Sequence, residues 1–234
     1  RGLGDVYKRQ VNQDRNIFAA CMIAQGHGDT MVTGLTRNYH TALSEVRRVI
    51  DTVPGEAVFG LTMIVMRGRT LFVADTAVNE RPSGDVLAQI AVRAAAVVRR
   101  LGHEPKVALL SYSNFGNPPG AIADTMREAV QNLERWGKKG GVDFEFDGEM
   151  GVDVALDPNR SRIYPFCRLT GPANVLIMPG LHAATIATKL VQRFGQATSI
   201  GPMLLGLEKP VQIVSMDATV SDLVQMALMA AQRN

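Results

Sequence analysis

The chain has 234 residues, of which 46% are hydrophobic and 6% aromatic, and a formal charge of +3. That apolar content supports one large or two small α/β domains and excludes disorder; the abundance of Ala, Val, Leu and Met suits helices on a parallel sheet better than an all-β core. Arg1, Lys8 and Arg9 against Asp5 supply most of the net charge, so the remainder carries no basic signature of nucleic-acid binding.

Residues 1–10 have no clear period and are set aside as a non-native segment. From Asp14 to Gln25, Ile17, Phe18, Cys21, Met22 and Ala24 recur at helical spacing behind a capping Asp14, with Gly26 as the stop. Asp29–Gly34 reads as a short strand, and Tyr39–Ile50 as an amphipathic helix. Ala57–Met66 and Thr70–Asp75 are β-rich runs around Arg67-Gly68-Arg69, predicting a hairpin or adjacent strands. Ser83 can cap a long helix whose buried stripe is Val86, Leu87, Ile90, Ala94, Val97, Val98 and Leu101, ended by Gly102.

Val107–Leu110 is a short apolar run with no alternation, the pattern of a strand buried on both faces. It feeds Ser111, Ser113, Asn114 and Gly116, and a helix is expected over about 119–136. A small polar loop between a strand's carboxyl end and a helix N-terminus is where open α/β sheets bind anions, although an ordinary turn has the same composition. Val142–Phe146 is read as a strand leading into the carboxylates Asp147 and Glu149, which suit either acid–base work or a capping or hinge role. The longest irregular stretch, 157–173, holds Arg160, Arg162 and Arg168, able to grip phosphates bidentately or simply to form a solvated basic loop. Strands at 174–178, 202–205 and 211–214 and helices at 181–194 and 219–232 complete an α/β alternation with mainly parallel sheets and helices on both faces.

Cys21 and Cys167 stand far apart and outside any Cys-x-x-Cys spacing, so no metal site is expected and idle thiols in a reducing compartment are. No apolar run approaches the ~18–20 residues of a membrane span and no secretory signal opens the chain, which predicts a cytoplasmic protein with no membrane partner.

Phe72-Val-Ala-Asp-Thr-Ala-Val-Asn79, Ala108-Leu-Leu-Ser-Tyr-Ser-Asn-Phe-Gly116, Asp147-Gly-Glu-Met150, Tyr164–Pro179, Ile200–Leu207 and Lys209–Val214 together resemble, in order, the phosphotransacetylase-like (phosphate acetyl/butyryl transferase) domain at the C-terminus of large bacterial NAD(P)-dependent malic enzymes. Free phosphate acetyltransferases share the framework, but the Ser113-Asn-Phe-Gly116 loop is closer to the malic-enzyme version. The resemblance implies a two-lobed fold related to isocitrate and isopropylmalate dehydrogenases. Lobe I would be 11–73 plus 207–234 and lobe II the inserted 74–206, with a ligand cleft between them. It also implies pairing into a homodimer or higher homo-oligomer, and a catalytic portion elsewhere in the same chain, where NAD(P) and a divalent metal, Mg or Mn, would serve.

In the resembled transferases a Ser-Arg-Gly-x-Ser-Val-x-Asp run follows a Lys-Pro-Val strand; its serine, arginine and final aspartate bind phosphate and assist thiol attack. Here Ser215 and Asp222 match, whereas the arginine is Met216, which offers neither charge nor donor. A second arginine of the transferases falls near Leu43-Ser44, with Arg47 close by, and Asp29 matches an aspartate of theirs, though a strand-initiating acid is the plainer reading. The resemblance therefore implies a regulatory and oligomer-forming domain that binds acetyl-CoA as effector, near Ser111, Ser113, Asn114, Asp29, Ser215 and the arginines of 160–168, without a cofactor of its own and without transferring acetyl groups. An active phosphate acetyltransferase and a ligand-free scaffold are the alternatives.

Overall fold

The computed structural model describes residues 11, 13–159, 162–195 and 197–231; the segment 1–10 and Arg160, both singled out above, lie outside the described residues. The elements in chain order are α1 (Arg15–Ala24), β1 (Met31–Gly34), α2 (Tyr39–Val46), β2 (Phe59–Met66), β3 (Arg69–Ala74), α3 (Gly84–Arg100), β4 (Lys106–Leu110), α4 (Ala121–Gly137), β5 (Glu145–Met150), α5 (Val152–Leu156), β6 (Val175–Ile177), α6 (Leu181–Phe194), β7 (Thr198–Leu205), β8 (Val211–Val214) and α7 (Val220–Ala231). Two compact units result: unit 1 takes the chain up to Gly60 and from Ile200 onward, and unit 2 is Leu61–Ser199. The divisions fall at 60/61 and 199/200, against the 73/74 and 206/207 expected from resemblance.

Within unit 2 the sheet has the order β5-β4-β6-β3-β2. β4 pairs in parallel with β5 and β6, and β6 with β3, while β2 runs antiparallel to β3 across the turn at Arg67-Gly68. The sheet is thus mixed, and of the hairpin or adjacent strands expected of the two β-rich runs it contains the hairpin, β2–β3, beside β6. Val107, Ala108, Leu109 and Leu110 are all buried, as a strand covered on both faces requires. Leu71, Val73, Ala108, Leu110 and Leu176 pack against Ala155 of α5 and Ala184 of α6 in one core cluster. Phe72, whose side chain alternates to the other face, meets His103, just beyond α3, edge-on at 5.3 Å.

β5 departs from expectation. It begins at Glu145 rather than Val142 and carries Asp147 and Glu149 inside the strand, not beyond its end. Charge in a strand breaks the apolar pattern that sequence reading relies on, and these two charges are tolerated because each has a cationic partner: Arg168 for Asp147 and Arg127 for Glu149.

Unit 1 contains the parallel pair β1–β8, in register from Met31↔Val211 to Gly34↔Val214. Gly34 has φ 132°, and a Cβ there would run into the carbonyl oxygen of Val214, so only glycine closes this strand. Asp14 caps α1 through the N–H groups of Asn16 at 2.9 Å and Ile17 at 3.2 Å, and Arg37 bridges Asp14 and Glu45. Gln212, buried in β8, uses its side-chain amide as a short stand-in for a strand, accepting from Leu204 N–H at 2.8 Å and donating to Leu204 carbonyl at 3.2 Å.

Two carboxylates give stability a pH limb. Burial pushes Asp14 up, but Arg37 and the capping N–H groups outweigh it and its pKa is lowered. Burial likewise works against the charge on Glu145, but the hydrogen bonds from Thr170 and the charge of Lys106 outweigh it and this pKa is also lowered. A folded-state pKa below the unfolded value means that the folded chain binds fewer protons. The contribution is complete above the ordinary carboxylate range near about pH 4 and drains away as pH falls through the depressed values. Urea midpoints should therefore fall below about pH 4, and fall less for an Asp14→Asn/Glu145→Gln double variant.

Candidate functional site

The carboxyl ends of β3, β4, β5 and β6 carry the loops that build unit 2's functional face, and two buried carboxylates shape them. Asp75, 1% exposed just after β3, accepts from the N–H groups of Ala77 at 2.8 Å, Val78 at 3.1 Å and Asn79 at 2.6 Å, and from the Asn79 side chain at 2.6 Å. The loop 75–79 is wound around one acid. Its last carbonyl, that of Asn79, accepts the N–H of Leu181 at 2.9 Å and so ties the loop to the start of α6. Gly180 follows the same logic: a Cβ would collide with the Glu80 carbonyl oxygen.

Glu149, fully buried, gathers the loop after β4. Its Oε1 accepts from Ser113 Oγ at 2.6 Å, Gly116 N–H at 2.8 Å and Arg127 Nη1 at 2.9 Å, while Oε2 is buried without a hydrogen-bond partner among the described residues. Its own carbonyl accepts the Phe115 N–H at 2.8 Å. Phe115 and Gly116 both have positive φ, 50° and 99°, the sharp reversal this convergence demands.

These contacts place the expected residues. Ser113 is fully buried and spent on Glu149; Asn114 is half-buried and accepts the Gly151 N–H at 2.7 Å. Ser111, half-buried, accepts from the Ser113 N–H at 3.3 Å. The loop thus positions more than it presents. Arg168 is committed to Asp147 at 2.8 Å and Glu134 at 2.7 Å, and lies over the Phe146 ring at 5.1 Å. Arg162 is exposed, its N–H donating to the Asn159 carbonyl at 3.0 Å. In unit 1, Asp29 is exposed ahead of β1, and Ser215 and Met216 are exposed after β8, Met216 by 61%. Asp222 accepts from the N–H and hydroxyl of Thr219, both at 2.8 Å, and Thr219 Oγ1 accepts back from Asp222 N–H at 3.2 Å, a reciprocal cap for α7. Arg47, the nearest cation to the second arginine's place, is an exposed C-cap of α2, and Leu43 beside it is core.

Sequence reasoning did not find the feature that joins these loops. Within unit 2, a hollow of about 670 Å³ is lined by Glu80, Arg81, Ser83, Ile122, Glu128 and His182 among others. The N-termini of three helices open on it: α3, capped by Ser83, and α4 and α6, which follow Gly120 and Gly180 and have no side-chain cap. Uncapped first-turn N–H groups and the positive end of the helix dipole favour anions, reinforced by Arg81 and opposed by Glu80 and Glu128. The signal existed in the sequence as Pro-Ser83-Gly, Pro-Pro-Gly120 and Pro-Gly180, but only the sheet order brings the three together. No group of three or more metal-ligating side chains occurs among the described residues.

If Glu149 organises the loop, Glu149→Gln, which weakens the charge-assisted contacts to Arg127, Ser113 and Gly116, should lower stability by about 1.5–3 kcal/mol. The chemical shifts of Ser111–Gly116 should move with it; urea unfolding and amide spectra check both.

Comparisons with known proteins agree with this geometry. The family model for phosphate acetyl/butaryl transferase matches residues 5–231. An NADP-dependent malic enzyme of Rhizobium meliloti is 54% identical over 96% of this chain, which spans only 29% of that protein. A phosphate acetyltransferase of Corynebacterium glutamicum is 35% identical over 95% of the chain and 67% of its own length. A phosphotransacetylase structure from Streptococcus pyogenes superposes with a TM-score of 0.87 at 31% identity, over 95% of this chain and 68% of that one. The match from residue 5 to residue 231 takes in both units, and the fold is shared with a phosphotransacetylase: the chain belongs to the phosphate acetyl/butaryl transferase family and matches the phosphotransacetylase-like domain of bacterial malic enzymes.

Proposed function

We propose that this chain is the regulatory and oligomer-forming part of a malic-enzyme-type protein, that it binds acetyl-CoA, and that it does not transfer acetyl groups. The observation that carries the reading is Met216. In the resembled transferases an arginine stands there to hold the phosphate of acetyl phosphate while the CoA thiol attacks; here a thioether projects into solvent, 61% exposed. Losing one preorganised donor to a developing charge typically costs on the order of 10²–10³ in rate. Asp222, engaged in capping α7, adds negative charge and has no ion-pair partner among the described residues.

Binding needs less than transfer. The hollow at the three helix N-termini is large enough to take part of a CoA-like ligand, and Arg81 in its lining is a cation that can meet a phosphate, with the His182 ring as a further polar contact. Arg168, already shared between two carboxylates, is a weaker candidate for that work. Regulation further requires that acetyl-CoA bind two arrangements of the whole protein with different affinity, a coupling of typically about 1–3 kcal/mol. The catalytic portion it would control decarboxylates malate oxidatively to pyruvate with NAD(P) and Mg or Mn. Self-association as a two-fold dimer belongs to the same reading, and sedimentation velocity reads it directly.

Active phosphate acetyltransfer is the second reading, favoured by Ser215 and Asp222 and by the 35% identity to the Corynebacterium enzyme. Titration calorimetry with acetyl-CoA should give saturable heat, with free acetate silent; no heat at millimolar ligand leaves the domain a scaffold. Acetyl phosphate and CoA, incubated with the purified chain, should yield acetyl-CoA at well under the ~10 s⁻¹ of a median enzyme. Turnover at or above that rate reverses the assignment in favour of the transferase.

A further inference from the structure

In the loop after β4, Ser113, Asn114 and Gly116 are spent on the scaffold, while the Tyr112 side chain stands 61% exposed. An open side chain is ordinarily free to change rotamer, but this one is pinned at its tip. Its hydroxyl donates to the Pro119 carbonyl at 3.3 Å and lies over Gly120, where a Cβ would run into it. Gly120 has φ 172°, extended backbone that any residue adopts, so it is the tyrosine and not the backbone conformation that calls for glycine. The outcome is a ring fixed at its hydroxyl end, with most of its surface left to solvent.

That ring stands beside the hollow of unit 2. Gly120 leads directly into Ala121, the first residue of α4, and Ala121 lines the hollow together with Ile122, Ser83 and Arg81. Among the described residues of that lining there is no Phe, Tyr or Trp. The hollow therefore offers a phosphate one cation and several helix N–H groups, while the broad aromatic face lies just outside it. A CoA-type ligand divides in the same way: its phosphates are anionic, and its adenine is the one flat aromatic part. Bases stack on aromatic side chains, and a ring already held in place loses little further freedom when a base lands on it.

We propose that Tyr112 is the stacking platform for the adenine base of a CoA-type ligand whose phosphates are met at the hollow. Gly120 serves it as a positioning residue, by leaving room for the hydroxyl that orients the ring. Stacking reads a π-face and not a pattern of donors, so this platform supplies affinity for a nucleotide and no discrimination among bases. The inference rests on the acetyl-CoA reading and deepens it by naming the residue that holds the nucleotide end.

Calorimetry with three ligands tests it: acetyl-CoA, S-acetylpantetheine, which lacks the nucleotide, and adenosine bisphosphate, the nucleotide end of CoA without its thioester arm. Tyr112→Leu should weaken acetyl-CoA and adenosine bisphosphate by about tenfold or more while leaving the melting temperature close to that of the unaltered chain. Tyr112→Phe, which keeps the ring, should keep most of the affinity, and S-acetylpantetheine should not distinguish either variant from the unaltered chain. Acetyl-CoA bound equally by the unaltered chain and Tyr112→Leu overturns the proposal. So does Tyr112→Phe failing as badly as Tyr112→Leu, or a parallel loss of S-acetylpantetheine, which makes Tyr112 a prop of the loop and not a platform. If the unaltered chain is silent with acetyl-CoA, the reading of the ligand fails and adenosine bisphosphate decides the platform: saturable heat that Tyr112→Leu removes supports it, and silence overturns it. Should Tyr112→Leu not fold, cross-relaxation between the adenine ring protons of bound bisphosphate and the Tyr112 ring in the unaltered chain supports the proposal, and its absence overturns it.

Discussion

A carboxylate taken out of water must be met by donors, and unit 2 turns that requirement into architecture. Asp75 and Glu149 sit at or next to the ends of β3 and β5, strands of one sheet with β6 and β4 between them, where loops would otherwise be free to choose among conformations. Each acid gathers several backbone or side-chain donors from a single loop, so satisfying the charge and fixing the loop are one event. Hydrogen bonds to an ionised acceptor are roughly twice as strong as neutral ones, enough to hold a turn containing two consecutive residues of positive φ. The helices that follow inherit their starting points from these loops, and the hollow between their N-termini is the space left over.

Much of the fold was legible because its signals are local. Ser83 before an apolar stripe gave α3, Asp14 gave the start of α1, and Arg67-Gly68 gave the β2–β3 reversal. The chain's family was legible as well, because ordered motifs from Phe72 to Val214 matched one framework. What local signals could not supply was partnership at long range. Glu149 is 22 residues from Arg127 and 36 from Ser113, so nothing near it in the sequence marks it as the anchor of the 111–116 loop. For the same reason β5 was placed too early, and Arg168 read as a free cation although Asp147, 21 residues away, had already claimed it.

The candidate site shows the same division. Small polar residues after β4 suggested a place where a ligand would be touched, and the structure instead gives Ser113 and Asn114 to the scaffold. Polar side chains in a loop are selected both for what they present and for what they hold, and composition cannot separate the two. The helix N-termini around the hollow come from segments about forty to sixty residues apart, and only the order β4-β6-β3 in the sheet makes them neighbours.

Met216 illustrates what it means for a residue to be free of the fold. A side chain buried in the core answers to its neighbours, and its identity reports on packing. One standing 61% in solvent answers to almost nothing within its own chain, so arginine, lysine or methionine would fit there with similar ease. The residue found at such a position is not dictated by packing within the chain. A change of side chain there would alter what the surface offers to a ligand without the rest of the molecule registering it.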